Sequence, residues 1–321
     1  MAGTIGELGE FALIARVTAR FPHSDNVILG PGDDAAIVGA PDGRVVATTD
    51  ALVEGRHFRH EWSSGGDVGH KAAAQNLADI AAMGARPTAL LLALAAPPEL
   101  RVTWVDEFAA GFGDECAAAG VGVAGGDVSA SETLTIVVTA MGDLAGRSAV
   151  RREGARPGDA VAVAGNLGLS AAGLELLQAG LGEPRACLDE HRRPRPPYEQ
   201  GPEAAARGAT AMLDVSDGLV QDLGHICRAS GVAVDLDPAA LAPGPALRAA
   251  ADALAAAGRP RDPVTFLLAG GEDHALAATF PPDTALPAQW TRVGRVEAGS
   301  GVTVGGSRVS ATGWDHYRRV R

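Results

Sequence analysis

Lysine is almost missing from this chain. Lys71 is the one lysine among 321 residues, so arginine carries nearly all the positive charge. Acids outnumber bases and leave a net charge of −12, which favours solubility and argues against a basic nucleic-acid track. Aromatic residues make up only 4%, while hydrophobic residues reach 46%, so small side chains do much of the packing. Cysteine is scarce too. Cys116, Cys187 and Cys227 are far apart, form no C-x-x-C pair and are odd in number. That argues against a disulfide framework, and a reduced cytoplasmic setting is expected. Long apolar runs are lacking: the strongest, Ala89 to Ala96, has about half the length of a membrane span and reads as a buried strand. The N-terminal residues have neither the basic nor the apolar region of a secretory signal. Several catalytic motifs are also absent. Lys71 stands in His70-Lys71-Ala72, so there is no G-x-x-x-x-G-K-[ST] phosphate loop. The protein-kinase glycine loop with its paired lysine, the G-x-S-x-G elbow and the H-E-x-x-H zinc helix are missing as well.

What is present is an α/β (α+β) pattern of two domains, 1–150 and 151–321, joined through the charged, turn-rich stretch near 148–158. Helical spacing runs through 5–20, with Leu8, Ala12, Ala15 and Ala19 on one face. Short strands are expected at Val27–Leu29 and Ala35–Val38, and a longer one from Arg44 to Thr49 that ends at Asp50. Asp67 can cap a helix that Gly84 stops near Met83. Thr88–Ala95, Val121–Ala124 and Leu134–Met141 read as strands around a helix at 103–119. In the second half, strands are expected at Ala160–Ala164, Ala211–Leu213 and Ala275–Phe280, with a helix at 217–229. Residues 181–203, rich in proline and arginine, read as a long loop; 238–262 reads as an Ala/Pro-rich stretch with a helical middle.

Six clusters could carry chemistry. Gly32-Asp33-Asp34 follows a Gly-Pro-Gly bend, and its adjacent carboxylates point opposite ways, so one can bind metal while the other orients the loop. Thr48-Thr49-Asp50 offers hard oxygen ligands suited to Mg²⁺. Asn76 and Asp79 share one face of an otherwise apolar helix. Gly125-Gly126-Asp127 allows a close backbone approach to phosphate. Asp214-Val215-Ser216-Asp217 lies where a strand hands over to a helix, and Ser216 or Asp217 can cap that helix. Gly270-Gly271-Glu272-Asp273-His274 again sets glycines before acids. Taken singly, each cluster has a bland reading as a turn, a cap or a solvated face. Together they put acids at or beyond strand ends beside glycine bends, a pattern that indicates several metal ions and a polyphosphate.

The order and spacing of these motifs resemble the thiamine-monophosphate kinase family, of the superfamily that includes aminoimidazole ribonucleotide synthetase. The resemblance rests on GDDAA at 32–36, TTDALVEGRHF at 48–58, NLADIAAMGA at 76–85, GGD at 125–127 and RREGARPGD at 151–159. It continues in LDVSDGLVQDLGHI at 213–226, GGEDH at 270–274 and GWDHY at 313–317. It implies a two-domain aminoimidazole ribonucleotide synthetase-like architecture. The N-terminal domain, for ATP, Mg²⁺ and dimerisation, pairs its sheet with a copy in a homodimer; the C-terminal α/β domain closes over nucleotide and substrate. It implies ATP and thiamine monophosphate as substrates. Asp33, Thr48, Thr49, Asp50, Asp79, Asp127, Asp214 and Asp217 would hold several Mg²⁺ ions. Gly126, Asp127, Arg152 and Ser216 would contact ATP, and His57, Glu272 and Trp314 the thiamine substrate. Two positions depart from the family pattern: Ala78 stands where serine is usual, and His274 where tyrosine is usual.

No general base is assigned, because the acceptor would be a phosphate oxygen that is already anionic. Two other readings make different demands. The selenophosphate and hydrogenase-maturation branches use a cysteine near one end of the chain, whereas the first cysteine here is Cys116 and the sequence closes Arg-Val-Arg. A non-catalytic nucleotide- or thiamine-phosphate-binding protein would be expected to lack metal ligands, and none is missing here.

Overall fold

The computed structural model describes residues 3–31, 35–309 and 313, and divides into two compact units. The first comprises 1–80 and 85–147; the second comprises 81–84 and 148–321.

The first unit opens with α1 (Ile5–Leu8) and α2 (Glu10–Thr18). The single helix expected over 5–20 is broken at Gly9, whose φ of 82° no helix accepts. A small hairpin, β1 (Val27–Leu29) with β2 (Ile37–Val38), follows. The main sheet has the order β3-β6-β4-β5. Its strands are β3 (Val46–Val53), β4 (Arg86–Ala96), β5 (Gly122–Ala130) and β6 (Thr135–Asp143). On β6 the residues Ile136, Val138 and Ala140 are buried, while Val137, Thr139 and Met141 on the other face are half-exposed. The helices are α3 (Gly65–Ala82) and α4 (Val102–Ala118). Ser64, rather than Asp67, leads α3: the Asp67 carboxylate accepts from the Ser64 N–H while the Ser64 hydroxyl accepts from the Asp67 N–H. Gly84 ends this segment at a φ of 74°. A run of rings from Phe112 through Phe108 to Trp104 fills part of the core, with His60 edge-on to Trp104.

The second unit is built on a seven-stranded sheet of order β13-β12-β9-β11-β7-β10-β8. β7 (Ala160–Ala164), β8 (Ala211–Val215) and β10 (Ala275–Phe280) are buried along their whole length. β9 (Ala233–Leu236), β11 (Trp290–Glu297), β12 (Gly301–Val304) and β13 (Ser307–Arg308) complete it. All pairs are antiparallel except β12 with β9. One face carries Val161, Val163, Leu213, Val215 and Ala277 into a core shared with α5 (Leu169–Gln178), α8 (Leu219–Ser230) and α9 (Pro245–Ala256). The other carries Ala162, Ala164, Met212, Ala278 and Phe280 against α7 (Gln200–Ala206).

The loop expected over 181–203 is a correction: it holds α6 (Arg185–Arg192) and α7. Pro184 occupies the N-cap of α6, where its missing N–H costs nothing, and Cys187, Leu188 and His191 face inward. A short α10 (Pro263–Ala269), capped by the Asp262 side chain, precedes the Gly270–His274 turn. Among the described residues no helix is long and apolar enough to cross a membrane.

Candidate functional site

In the first unit Asp50 and Asp127 were expected at strand ends, but they lie within strands. β6 supplies partners for β3 from Val46 to Val53, so the strand continues through Asp50, which pairs with Val138. Likewise β5 runs through Gly125, Gly126 and Asp127 in register with Leu91, Leu92 and Ala93 of β4. A Cβ on Gly126 would stand 1.8 Å from the Leu92 carbonyl, so this glycine is demanded by the strand pairing itself. β3 and β5 are the two edges of the sheet, and edge strands leave room for exposed acids.

Thr48 and Asp50 share the face of the buried Val138 and Ala140, toward α3. There the Thr48 hydroxyl donates to Asp79 Oδ2 at 2.7 Å, and the Asp50 N–H donates to Asn76 Oδ1 at 3.0 Å. Asn76 is held in turn by its amide on the Ala72 carbonyl, 3.0 Å. Thr49 points to the opposite face and donates to the Val138 carbonyl at 3.0 Å. Asp127, aligned with Ala93 and Val137, is also on that opposite face and accepts from Ser129 Oγ at 2.8 Å. Thr48, Asp50 and Asp79 therefore gather at one edge. Asp127 lies at the other, three strand spacings or roughly 14 Å away.

His57 sits in the turn after β3. The Val53 N–H donates to its Nδ1 at 3.0 Å, so Nε2 carries the ring proton and can donate. Lys71, only 3% exposed, places Nζ 3.5 Å from the His57 carbonyl.

In the second unit the sequence-marked residues do converge. β8 ends at Asp214 and Val215, and β10 beside it begins just after the Gly270–His274 turn. The Glu272 N–H donates to the Ser216 carbonyl at 2.8 Å, and the His274 N–H to the Val215 carbonyl at 3.1 Å. Glu272 and His274 have φ of 63° and 54°, in the left-handed region that costs a side-chain-bearing residue energy. Gly271 and Gly218 are needed for space: a Cβ would stand 2.2 Å from the Ser216 carbonyl oxygen and 2.7 Å from that of Ala269. The cap of α8 is Gly218, not Ser216 or Asp217. Asp222, one turn into α8, reaches back and accepts from the Asp217 and Gly218 N–H groups, both at 3.0 Å. Its pKa is pushed up to about 7 by burial first, and further by the nearby Asp214 and Asp217, against the pull of its backbone donors. The Arg152 carbonyl accepts from Ser230 Oγ at 3.0 Å, at the C-terminal end of α8.

Four residues that act as anchors have no role assigned from the sequence: Asp222, Asp273, Ser170 and His191. Asp273 is fully buried and accepts from the Gly168 and Ser170 N–H groups at 2.7 and 2.8 Å, holding the start of α5. Ser170 Oγ is 3.2 Å from His191 Nδ1, which is 3.6 Å from Glu272 Oε2. The one available signal was the acid in GGEDH; the partners of Asp273 stand more than 100 residues away in sequence.

Asp33 and Trp314 lie outside the described residues. Among the described residues, no three His, Cys, Asp or Glu side chains stand close enough to hold a metal ion. The donors do fit a hard cation in kind, being oxygen throughout, and the crowding of Asp214 and Asp217 on Asp222 is of the sort a cation relieves.

Residues 32–144 match the model for the AIR synthase related protein N-terminal domain, and 156–306 match its C-terminal domain. The thiamine-monophosphate kinase of Mycobacterium tuberculosis is 47% identical over 317 residues, 98% of this chain and 93% of that protein. The chain belongs to the thiamine-monophosphate kinase family. The family's enzyme from Aquifex aeolicus is 35% identical over 97% of this chain and 99% of its own. Among solved structures, the thiamine-monophosphate kinase of Stenotrophomonas maltophilia K279a superposes with a TM-score of 0.81 at 37% identity, covering 94% of this chain and 98% of that one. AaThiL complexed with AMPPCP and TMP superposes with a TM-score of 0.80 at 35% identity, covering 99% and 100%. The two-domain architecture of thiamine-monophosphate kinases is thus the architecture here. Hydrogenase maturation protein HypE, at 20% identity and a TM-score of 0.72 over 93% and 97%, shares the fold alone.

Proposed function

We infer that this chain transfers the γ-phosphoryl group of ATP to thiamine monophosphate, giving ADP and thiamine diphosphate. The observation that carries this reading is the 47% identity to a thiamine-monophosphate kinase over nearly the whole chain. The solved AaThiL complex with AMPPCP and TMP, a nucleotide analogue and TMP together, supports it.

In this reading the acceptor is a phosphate oxygen of thiamine monophosphate. Its lone pair forms the new bond to Pγ as the bond from Pγ to the β–γ bridging oxygen breaks, and ADP takes the electron pair. The nucleophile is already anionic, so no side chain has to remove a proton. The protein's tasks are binding, alignment and charge control. Gly126, Asp127, Arg152 and Ser216 contact ATP. His57, through its Nε2–H, contacts the thiamine substrate together with Glu272 and Trp314. Asp33, Thr48, Thr49, Asp50, Asp79, Asp127, Asp214 and Asp217 hold Mg²⁺, which offsets the repulsion between the two polyanions.

The half-exposed sheet face of Val137, Thr139, Met141, Leu91 and Ala93 supports a homodimer in which the first unit pairs its sheet with a second copy. Three buried free cysteines support a cytoplasmic setting. In this arrangement residues 1–150 form the nucleotide, metal and dimerisation domain, and 151–321 the domain that closes over the substrates.

Incubation with ATP, Mg²⁺ and thiamine monophosphate tests the reading. Thiamine diphosphate and ADP should form in equal amounts. ADP without thiamine diphosphate would redirect the search to another acceptor, and a trapped phosphorylated side chain would end the direct-transfer mechanism.

A further inference from the structure

His274 stands where the family pattern has tyrosine, and the structure gives it a definite contact. Its Nδ1 lies 3.0 Å from Asp214 Oδ2, and the two side chains are only 8% and 9% exposed. The backbone enforces the pairing. The His274 N–H is fixed on the Val215 carbonyl at 3.1 Å, and the next residue, Ala275, registers with Val215 in the β10–β8 ladder. The left-handed φ of 54° turns the chain sharply just before that ladder begins. A residue with a side chain is uncommon in this conformation, so the position is specified rather than incidental.

Asp214 also feels other acids. It and Asp217 both act on the buried Asp222, so the β8–α8 junction collects like charge. A carboxylate in such company turns toward whatever donor is fixed beside it. With Oδ2 engaged by the imidazole, Oδ1 is the oxygen that Asp214 offers to a cation. Groups that orient a metal-binding carboxylate in this way commonly matter 10- to 100-fold for metal affinity.

We propose that His274 is a positioning residue whose Nδ1–H holds the Asp214 carboxylate in the orientation that takes up a divalent cation. This rests on the reading of Asp214 as a metal ligand. The test is Mn²⁺ binding to the full-length chain with ADP present, read from the electron paramagnetic resonance signal of free Mn²⁺. His274→Gly suits the backbone conformation and removes the donor. His274→Asn tolerates the same conformation and keeps an amide donor near the position of Nδ1. Asp214→Asn is the control, and circular dichroism melts accompany all three.

The expected result is a Mn²⁺ affinity weakened about tenfold or more in His274→Gly and Asp214→Asn, and within about threefold of wild type in His274→Asn. Wild-type Mn²⁺ binding in His274→Gly, with loss in Asp214→Asn, overturns the positioning role and leaves the ligand assignment standing. Equal losses in the glycine and asparagine variants assign the effect to lost packing and also overturn it. Wild-type binding in Asp214→Asn overturns the ligand assignment itself, and this inference with it.

Discussion

The two units hold their carboxylates in opposite ways. In the first, Asp50 and Asp127 are exposed on edge strands, and Asp79 and Asp127 accept from hydroxyl groups, those of Thr48 and Ser129. In the second, Asp214, Asp222 and Asp273 are buried and held by an imidazole or by pairs of backbone N–H groups. Burial explains the difference. A buried carboxylate without partners costs several kcal/mol, so the second unit supplies fixed dipoles. An exposed one is satisfied by water and stays available to a ligand. The first unit therefore presents its acids, and the second preorganises them.

Four experiments sharpen or break this contrast. The largest effect is expected from removing the charge of a proposed cation ligand on either side. Asp79→Asn and Asp214→Asn should each lower turnover roughly 10²- to 10³-fold while leaving the melting curve nearly intact, because each weakens a cation contribution of several kcal/mol. Wild-type turnover at limiting Mg²⁺ in either variant would refute its assignment.

Asp273 should matter to the fold. Asp273→Ala strands two buried N–H groups at the start of α5, a loss of about 2–4 kcal/mol, seen as a melting temperature lower by roughly 5–10 °C. Its titration adds a sign. Burial first pushes its pKa up to about 7, against the pull of the Gly168 and Ser170 donors. The folded value thus exceeds the unfolded one of about 3.9. The contribution is full below pH ~4 and is lost as pH rises to about 7. The stability advantage of wild type over Asp273→Asn should shrink across that window; an advantage that grows with pH contradicts the assignment.

A middling effect is expected from the proposed substrate contacts. His57→Ala or Glu272→Gln should raise KM for thiamine monophosphate about tenfold, with KM for ATP little changed. Equal changes in both constants would point to a disturbed fold. The smallest effect is expected at Ser129→Ala, which removes one exposed hydrogen bond to Asp127 and should leave activity within about threefold. A larger loss would mean that the exposed acids depend on preorganisation as much as the buried ones.

The sequence made some elements plain and hid others for physical reasons. Ala160–Ala164 and Ala275–Phe280 are unbroken apolar runs in a sheet covered on both faces, and they form the strands expected of them. Asp50 and Asp127 seemed to end strands because acids disfavour them. Pairing along the whole length of β6 and β4 overrides that preference at an edge. The prolines and arginines of 181–203 suggested a loop, yet Pro184 serves as a cap and the inward Cys187, Leu188 and His191 give α6 a buried side. The acid-rich motifs pointed to the candidate residues themselves. Their anchors were harder to see. Asp222 reads as an ordinary helix acid, and the contacts between Asp273, Ser170, His191 and Glu272 join segments distant in sequence.

The burial of Lys71 has a practical consequence. The chain's whole stock of ε-amines is one group tucked against the His57 turn and 3% exposed. Reagents that acylate or cross-link surface lysines find no accessible lysine on the folded protein. Reaction at Lys71 would therefore report opening around the His57 turn, giving the molecule a built-in chemical gauge of that segment's exposure.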